Sequence, residues 1–380
     1  MVDPVNIDRL GYYLVGKNKF YNKTSALIES YQTRYEPVWV FNNDVYGSID
    51  WTVPITEDLA SIYRRRAQQL RDQYDHLVLY FSGGADSINI LHAFIDNNIF
   101  LDEIVFQYPK EIEKIFNNDD LSNANFYSEI QYSALPILNN LKHKISSKTQ
   151  VRHQDFSKPL IELLKHDDWF EKKHMGSNIT ISGIARQATQ DIESHILDLC
   201  DRNKTVAQIL GIDKPLVYFD GVNYFAYFID LSATHCPPIN RDNTQDLYST
   251  FYQTEFFYWT PSMPEIVVKQ AQEIKRHCEI DTAKKMLWAR SRTTHISEYR
   301  DVMHPIIYPS SSTPLFQTTK PLSKVIREQD RWFWETADRN VINNYLNVIS
   351  YLKHNINDYH AIDNDLMNGL QGHISQYYKL

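Results

Sequence analysis

Short apolar segments alternate with amphipathic helical patterns between residues 56 and 200, and this alternation constrains the fold more than any other feature. The clearest apolar segments are LVLYF at 77–81 and EIVFQY at 103–108. Strands that are apolar throughout are typical of parallel sheets, because helices cover both of their faces. The sequence therefore predicts an α/β fold built on a parallel, doubly wound sheet.

Boundaries within the chain follow from changes in this pattern. The α/β unit is predicted to begin with a helix capped by Thr56, and its triple arginine at 64–66 is expected on a solvated face. Further strands are predicted near 149–156 and at 178–184. We expect three parts: a β-rich or irregular segment over 1–55, the α/β domain over 56–205, and a hairpin followed by a mainly helical region over 206–380.

Composition argues against several classes of protein. The net charge of −8 does not indicate a nucleic-acid-binding protein, which usually carries a basic domain, although a local basic groove stays an alternative. The three cysteines are far apart and contain no C-x-x-C pair, so we expect neither disulfides nor a cysteine zinc site, and we expect a cytoplasmic protein. No run of roughly 18 apolar residues occurs, so no membrane partner is expected.

The loop Ser82-Gly83-Gly84-Ala85-Asp86-Ser87 stands between the first strand and the next helix. Two adjacent glycines let the backbone turn tightly and approach a ligand, while the free N–H groups of a helix start favour an anion. The hydroxyls of Ser82 and Ser87 add donors, so phosphate is the expected guest. A carboxylate beside phosphate needs a cation between them, and we infer Mg²⁺ at Asp86. The alternative is an ordinary strand-to-helix turn capped by Asp or Ser.

Residues 81–87, FSGGADS, resemble the SGGxDS pyrophosphate loop of the N-type ATP pyrophosphatases, the PP-loop superfamily that includes asparagine and β-lactam synthetases. The P-loop and dinucleotide-binding signatures are absent from the chain. The resemblance covers residues 77–108 and extends over 56–200. It implies an adenine nucleotide α-hydrolase-like sheet, bound ATP and Mg²⁺, and cleavage of ATP between its α and β phosphates.

The resemblance also implies roles for particular residues. Ser82, Gly83, Gly84 and Ser87 would hold pyrophosphate, and Asp86 would be the catalytic magnesium ligand. Adenine would lie at the strand end formed by Phe106, Gln107 and Tyr108, with a simple strand end as the alternative. Relatives carry a second acidic motif after a later strand, here ending at Gly183, and the chain lacks its GGDE form. Asp191 or Gln187 could reach the metal there, although Asp191 could equally be a surface residue. Lys320 is the best match for the essential C-terminal lysine of those synthetases, with a solvated face as the alternative.

The function that the resemblance implies is an ATP-dependent, AMP-forming ligase of asparagine synthetase type. It would adenylate a small-molecule carboxylate or carbonyl oxygen, which ammonia or an amine then attacks as nitrogen donor. Residue 2 is Val where a class II glutaminase needs cysteine, so no glutaminase domain is expected. One alternative is a PP-loop enzyme that modifies nucleotide, DNA or tRNA bases. Another is a catalytically silent ATP-binding module.

Overall fold

A central five-stranded parallel sheet, surrounded by helices, confirms the predicted α/β class. The structure is a computed structural model that describes residues 7–115, 126–172, 181, 184, 193–212, 214–230, 250–281, 303–309, 328–355 and 373–380. Two antiparallel sheets of three strands accompany the parallel sheet. Among the described helices, none is both long and apolar enough to cross a membrane.

The N-terminal segment forms the first antiparallel sheet. Its strands are β1 (Tyr12–Val15), β2 (Asn18–Phe20) and β3 (Pro37–Val40), in the order β2-β1-β3. Helices α1 (Lys23–Thr33) and α2 (Asn43–Gly47) complete it. The segment is therefore ordered and partly helical, where the sequence suggested a β-rich or irregular one.

Five parallel strands make up the central sheet: β4 (His76–Tyr80), β5 (Glu103–Gln107), β6 (Gln150–Gln154), β7 (Val206–Leu210) and β10 (Tyr252–Phe256). Their order across the sheet is β10-β7-β4-β5-β6, and every neighbouring pair is parallel. The order reverses between β4 and β7. The last two strands come from residues beyond 205, so the sheet extends past the predicted end of the α/β domain.

Helices of the first half are α3 (Leu59–Gln73), α4 (Ala85–Ile95), α5 (Phe126–Glu129), α6 (Leu135–Leu141), α7 (Ser157–Leu164), α8 (Trp169–Lys172) and α9 (Ser194–Asp201). A π-helical turn, Ile130–Ala134, joins α5 to α6. The second half contains α10 (Glu265–Ile280), α11 (Glu328–Thr336) and α12 (Arg339–Asn355). The helical patterns at 263–278 and 340–354 are thereby confirmed.

Consecutive residues of a strand point to opposite faces of the sheet, and both faces of β4 are buried. Leu79 belongs to the main hydrophobic core together with Ile88 of α4. Val78 packs on the other face with Ile196 and Cys200 of α9. This burial explains why the strand is apolar throughout.

The predicted hairpin is present as β8 (Leu216–Phe219) and β9 (Tyr224–Tyr227), to which β11 (Tyr378–Lys379) adds at the chain end. Its turn has four residues, 220–223. Asp220 Oδ1 accepts from the backbone N–H groups of Val222 and Asn223, both at 2.7 Å. Gly221, with φ of 108°, supplies the left-handed conformation that the turn requires.

Two predicted features are wrong, and a third differs at the residues that the structure describes. The helix expected from Thr56 begins at Leu59, because Asp58 caps it by accepting from the Ser61 N–H at 2.9 Å. Arg66, expected in solvent, is 1% exposed and donates to Glu255 at 2.7 Å. In the strand predicted at 178–184, the structure describes only residues 181 and 184, and both are helical.

Candidate functional site

The loop from Ser82 to Ser87 connects the carboxyl end of β4 to the start of α4. Phe81 continues the strand's pairing, since its N–H donates to Val105 O at 2.7 Å. Gly83 then turns the chain with φ of 77°. Gly84 is the N-cap of α4. Because glycine has no side chain, no side-chain hydrogen bond caps this helix. The first N–H groups of α4 therefore point out of the loop without a capping side chain.

The π-helical turn supports the loop from one side. A Cβ on Gly83 would lie 2.5 Å from the backbone N of Ala134, so only glycine fits this contact. The buried Ser133 hydroxyl donates to Gly83 O at 2.7 Å. π-turns inside helices are frequent at functional sites. Here the turn fixes the loop backbone.

Two serine hydroxyls line the loop. Ser82 Oγ accepts from the Gly84 N–H at 3.3 Å and lies 3.3 Å from Ser87 Oγ. Ser87 Oγ donates to Gly84 O at 3.0 Å. Ser82 is exposed whereas Ser87 is buried, so one hydroxyl faces solvent and the other braces the turn.

Asp86 is held by a buried lysine from the segment that follows the neighbouring strand. Lys214, just beyond β7, places its ammonium 3.0 Å from Oδ1 and 3.2 Å from Oδ2 of this carboxylate. The Lys214 side chain is 2% exposed, and that of Asp86 is 25% exposed. The Tyr308 hydroxyl also donates to Asp86 Oδ1. The carboxylate is thus neutralised from the protein side and reachable from the solvent side.

Buried tyrosines lie beneath the loop. Tyr258, which follows β10, donates its hydroxyl to the backbone O of Asp86 at 2.9 Å and accepts from Asn89 Nδ2 at 2.9 Å. Burial raises the pKa of Tyr258 and of Tyr308 well above the ordinary value, and the charge of Asp86 contributes in the same direction. Both hydroxyls therefore stay protonated and act as donors to Asp86.

The strand end expected to hold adenine is packed with aromatic rings. The imidazole of His153, on β6, stacks on Tyr108 at 3.9 Å and on Phe106 at 5.6 Å. Gln107 donates its side-chain amide to Gln154 Oε1 at 2.6 Å. These residues lie at the carboxyl end of β5, beside the loop that follows β4. Phe106 and Tyr108 are both buried within this stack.

The remaining predicted site residues, Gly183, Asp191 and Lys320, lie outside the described residues. Within the described ranges, no group of three or more His, Cys, Asp or Glu side chains is placed to hold a metal ion.

Lys214, Tyr258 and Tyr308 were not identified from the sequence. Each reaches Asp86 from more than 100 positions away along the chain. One sequence pattern indicates this second loop: the apolar run VAQIL at 206–210 is followed by Gly211. Gly83 and Gly84 follow β4 in the same way. A Cβ on Gly211 would lie 3.3 Å from Asp86 Cβ, so this second glycine brings the two loops together.

The residues present fit a magnesium nucleotide. A Cβ on Gly84 would meet only Ser82 Oγ, at 3.4 Å, so space is open beside the helix start where phosphate oxygens would approach. Mg²⁺ commonly takes one or two carboxylates and completes its shell with phosphate and water oxygens, and Asp86 can supply one carboxylate.

No protein-family model matches the sequence, and no curated protein is similar to it.

Proposed function

We propose that this chain is an ATP-dependent, AMP-forming ligase of the PP-loop type. It would transfer AMP to a small-molecule carboxylate or carbonyl oxygen, releasing pyrophosphate, and then allow ammonia or an amine to displace AMP. The observation that carries the proposal is the position of the Ser82–Ser87 loop: it follows the strand at which the order of the parallel sheet reverses.

Ligands of open parallel sheets bind outside the carboxyl ends of the strands, at the point where the strand order reverses. The order β10-β7-β4-β5-β6 has that point between β4 and β7. Loop residues from β4 and Lys214 from the segment after β7 meet there. This order is the one expected of a doubly wound nucleotide-binding sheet, which supports the adenine nucleotide α-hydrolase-like interpretation.

The charges and hydrogen-bond donors around the loop suit transfer of AMP from ATP. Mg²⁺, when bound with ATP, supplies positive charge to the departing pyrophosphate. The N–H groups at the start of α4 and the Ser82 hydroxyl would bind phosphate oxygens, and Asp86 would orient the metal. Fixed donors of this kind stabilise charge that develops in the transition state. With a net charge of −8, a small molecule is favoured over nucleic acid as acceptor.

The first experiment measures binding and turnover of ATP. The thermal stability of wild type, Asp86→Asn and Asp96→Asn is measured with and without Mg-ATP. Each protein is also incubated with α-labelled ATP, ammonium and a pool of carboxylic acids, and the labelled AMP is measured. Asp96, which follows the last turn of α4 and pairs with His92, is the matched control. A ligand that binds only the folded state adds about 2.7 kcal/mol at hundredfold excess over its dissociation constant. We expect stabilisation by Mg-ATP and labelled AMP with wild type and Asp96→Asn. Asp86→Asn should release no labelled AMP, and Mg²⁺ should add no stabilisation to that given by ATP alone.

Other outcomes would separate the alternatives. Absence of any stabilisation of the folded wild type would overturn the nucleotide site itself. Stabilisation with ATP recovered unchanged under every acceptor would favour a silent binding module. Release of AMP only when tRNA or DNA is added would favour base modification.

A further inference from the structure

We propose that Lys214 and a divalent cation exchange places at Asp86. Without nucleotide, the Lys214 ammonium neutralises the Asp86 carboxylate. With a magnesium nucleotide bound, the Asp86 carboxylate would hold the metal and the Lys214 ammonium would turn to the phosphate oxygens. This inference rests on the proposed function, because it assigns Lys214 as a positioning residue and phosphate ligand of the same site.

Competition follows from the geometry of the pair. The ammonium lies 3.0 and 3.2 Å from the two oxygens of Asp86, so it occupies the side of the carboxylate that faces the end of β7. Mg²⁺ requires close contact with a carboxylate oxygen and is a hard cation that seeks the same negative charge. Two cations at one carboxylate repel each other, and the metal can bind fully only when the ammonium withdraws.

Burial determines where the ammonium can go. Lys214 is 2% exposed, and a buried cation is strongly destabilised unless an anion remains beside it. Once the metal neutralises Asp86, phosphate bound to the neighbouring loop supplies that anion. The close approach of Gly211 to Asp86 keeps the two loops in contact.

The test measures metal and nucleotide binding separately. Mn²⁺, a paramagnetic substitute for Mg²⁺, is titrated into wild type and Lys214→Met in the absence of nucleotide. α,β-Methylene ATP, which cannot be cleaved at the α–β position, is titrated in the presence of EDTA. If the Asp86 carboxylate is open in at most a tenth of wild-type molecules, Lys214→Met binds Mn²⁺ about tenfold tighter or more. The same variant loses a charged phosphate contact and binds the analogue about tenfold more weakly or worse.

Lys204→Met is the matched control. Lys204 lies at the opposite end of β7 and pairs with Asp75 at 3.1 Å on the surface, so its removal should change neither affinity. Asp86→Asn gives an independent readout, even if Lys214→Met fails to fold. It removes the carboxylate that holds the ammonium, so the analogue should bind tighter in EDTA than to wild type, and Mg²⁺ should add nothing.

Opposite shifts of the two affinities would support the exchange, since general damage to the site weakens both. Unchanged or weaker Mn²⁺ binding by folded Lys214→Met, or no gain of analogue affinity in Asp86→Asn, would overturn it while wild type still binds Mg-ATP. Failure of wild type to bind ATP at all would instead overturn the proposed function, and the nucleotide half of the exchange with it.

Discussion

At the scale of single residues, Gly83 and Gly84 are adjacent but are required for different reasons. Gly83 has φ of 77°, and a Cβ there would lie 2.5 Å from a backbone atom of Ala134. Gly84 has φ of −80°, which any residue adopts, and its Cβ would enter open space beside Ser82. We therefore expect the first glycine to be needed for folding of the loop and the second for access of the proposed nucleotide.

We expect Gly83→Ala to lower the free energy of unfolding by about 2–4 kcal/mol, from left-handed backbone strain plus a steric clash. Gly84→Ala should cost less than about 1 kcal/mol and should weaken binding of Mg-ATP about tenfold or more, because its methyl group occupies the phosphate approach. Urea unfolding and equilibrium binding measure the two effects. Equal loss of stability in both variants would contradict this division.

The sequence was sufficient for the loop because strand, turn and helix are consecutive, and each local signal agrees with the others. Lys214 could not be found in the same way. Its role depends on the pairing of β7 with β4, and no sequence pattern near residue 214 indicates that pairing. A lysine after an apolar strand is usually a surface residue. Its 2% exposure arises from tertiary packing alone.

At the scale of secondary-structure elements, the π-helical turn at Ile130–Ala134 positions the loop through one hydrogen bond. Removing the Ser133 hydroxyl leaves Gly83 O, in a buried residue, without this donor. Ser133→Ala should therefore lower the free energy of unfolding by about 1–3 kcal/mol and also weaken nucleotide binding. Ser48→Ala is the control, since the exposed Ser48 hydroxyl donates to Val45 O where water can replace it. Equal, small effects of both variants in urea unfolding would refute the role of Ser133.

Strands were predicted correctly where they are apolar and flanked by clear helical patterns, as β4 and β5 are. At 181 and 184, the two described positions of the strand predicted at 178–184, the chain is helical. A short apolar run has no periodicity that separates strand from helix. β10, YQTEF, is not predicted by the sequence because this strand is polar. It carries the polar residues Gln253, Thr254 and Glu255, which are buried because they bind other parts of the chain. Local hydrophobicity cannot reveal such a strand.

At the scale of the whole molecule, buried ion pairs join distant parts of the chain. Glu255 of β10 accepts from Arg9 of the N-terminal segment at 2.8 Å and from Arg66 of α3 at 2.7 Å. Lys23 of α1 pairs with Asp230, just beyond β9, at 2.6 Å. Arg66 was predicted to be solvated because three consecutive arginines point in three directions around a helix. Its partner lies 189 positions away, beyond the reach of any local pattern.

These buried ion pairs make the free energy of unfolding depend on pH. Burial alone would raise the pKa of Glu255, but the charges of Arg9 and Arg66 lower that pKa from 4.5 to about 2. A carboxylate with a depressed pKa in the folded state stabilises that state above its unfolded pKa, near 4.5, and loses this contribution as the pH falls through the folded value, near 2. The free energy of unfolding should therefore decline between about pH 5 and pH 2.

Glu255→Gln tests this cause directly. Near pH 7 it should lower the free energy of unfolding by about 3 kcal/mol or more, because it leaves two arginines beside a neutral group. The difference from wild type should shrink as the pH falls from about 5 to about 2, since acid protonates Glu255 in wild type and removes the same charge. Glu57→Gln is the control: Glu57 pairs with Arg65 in solvent, at 2.8 Å, so its loss should cost less than about 1 kcal/mol. Urea unfolding at several pH values gives both curves. A gap between wild type and Glu255→Gln that stayed constant down to pH 2 would mean that the missing contacts, not the charge of Glu255, hold the N-terminal segment and α3 to the sheet.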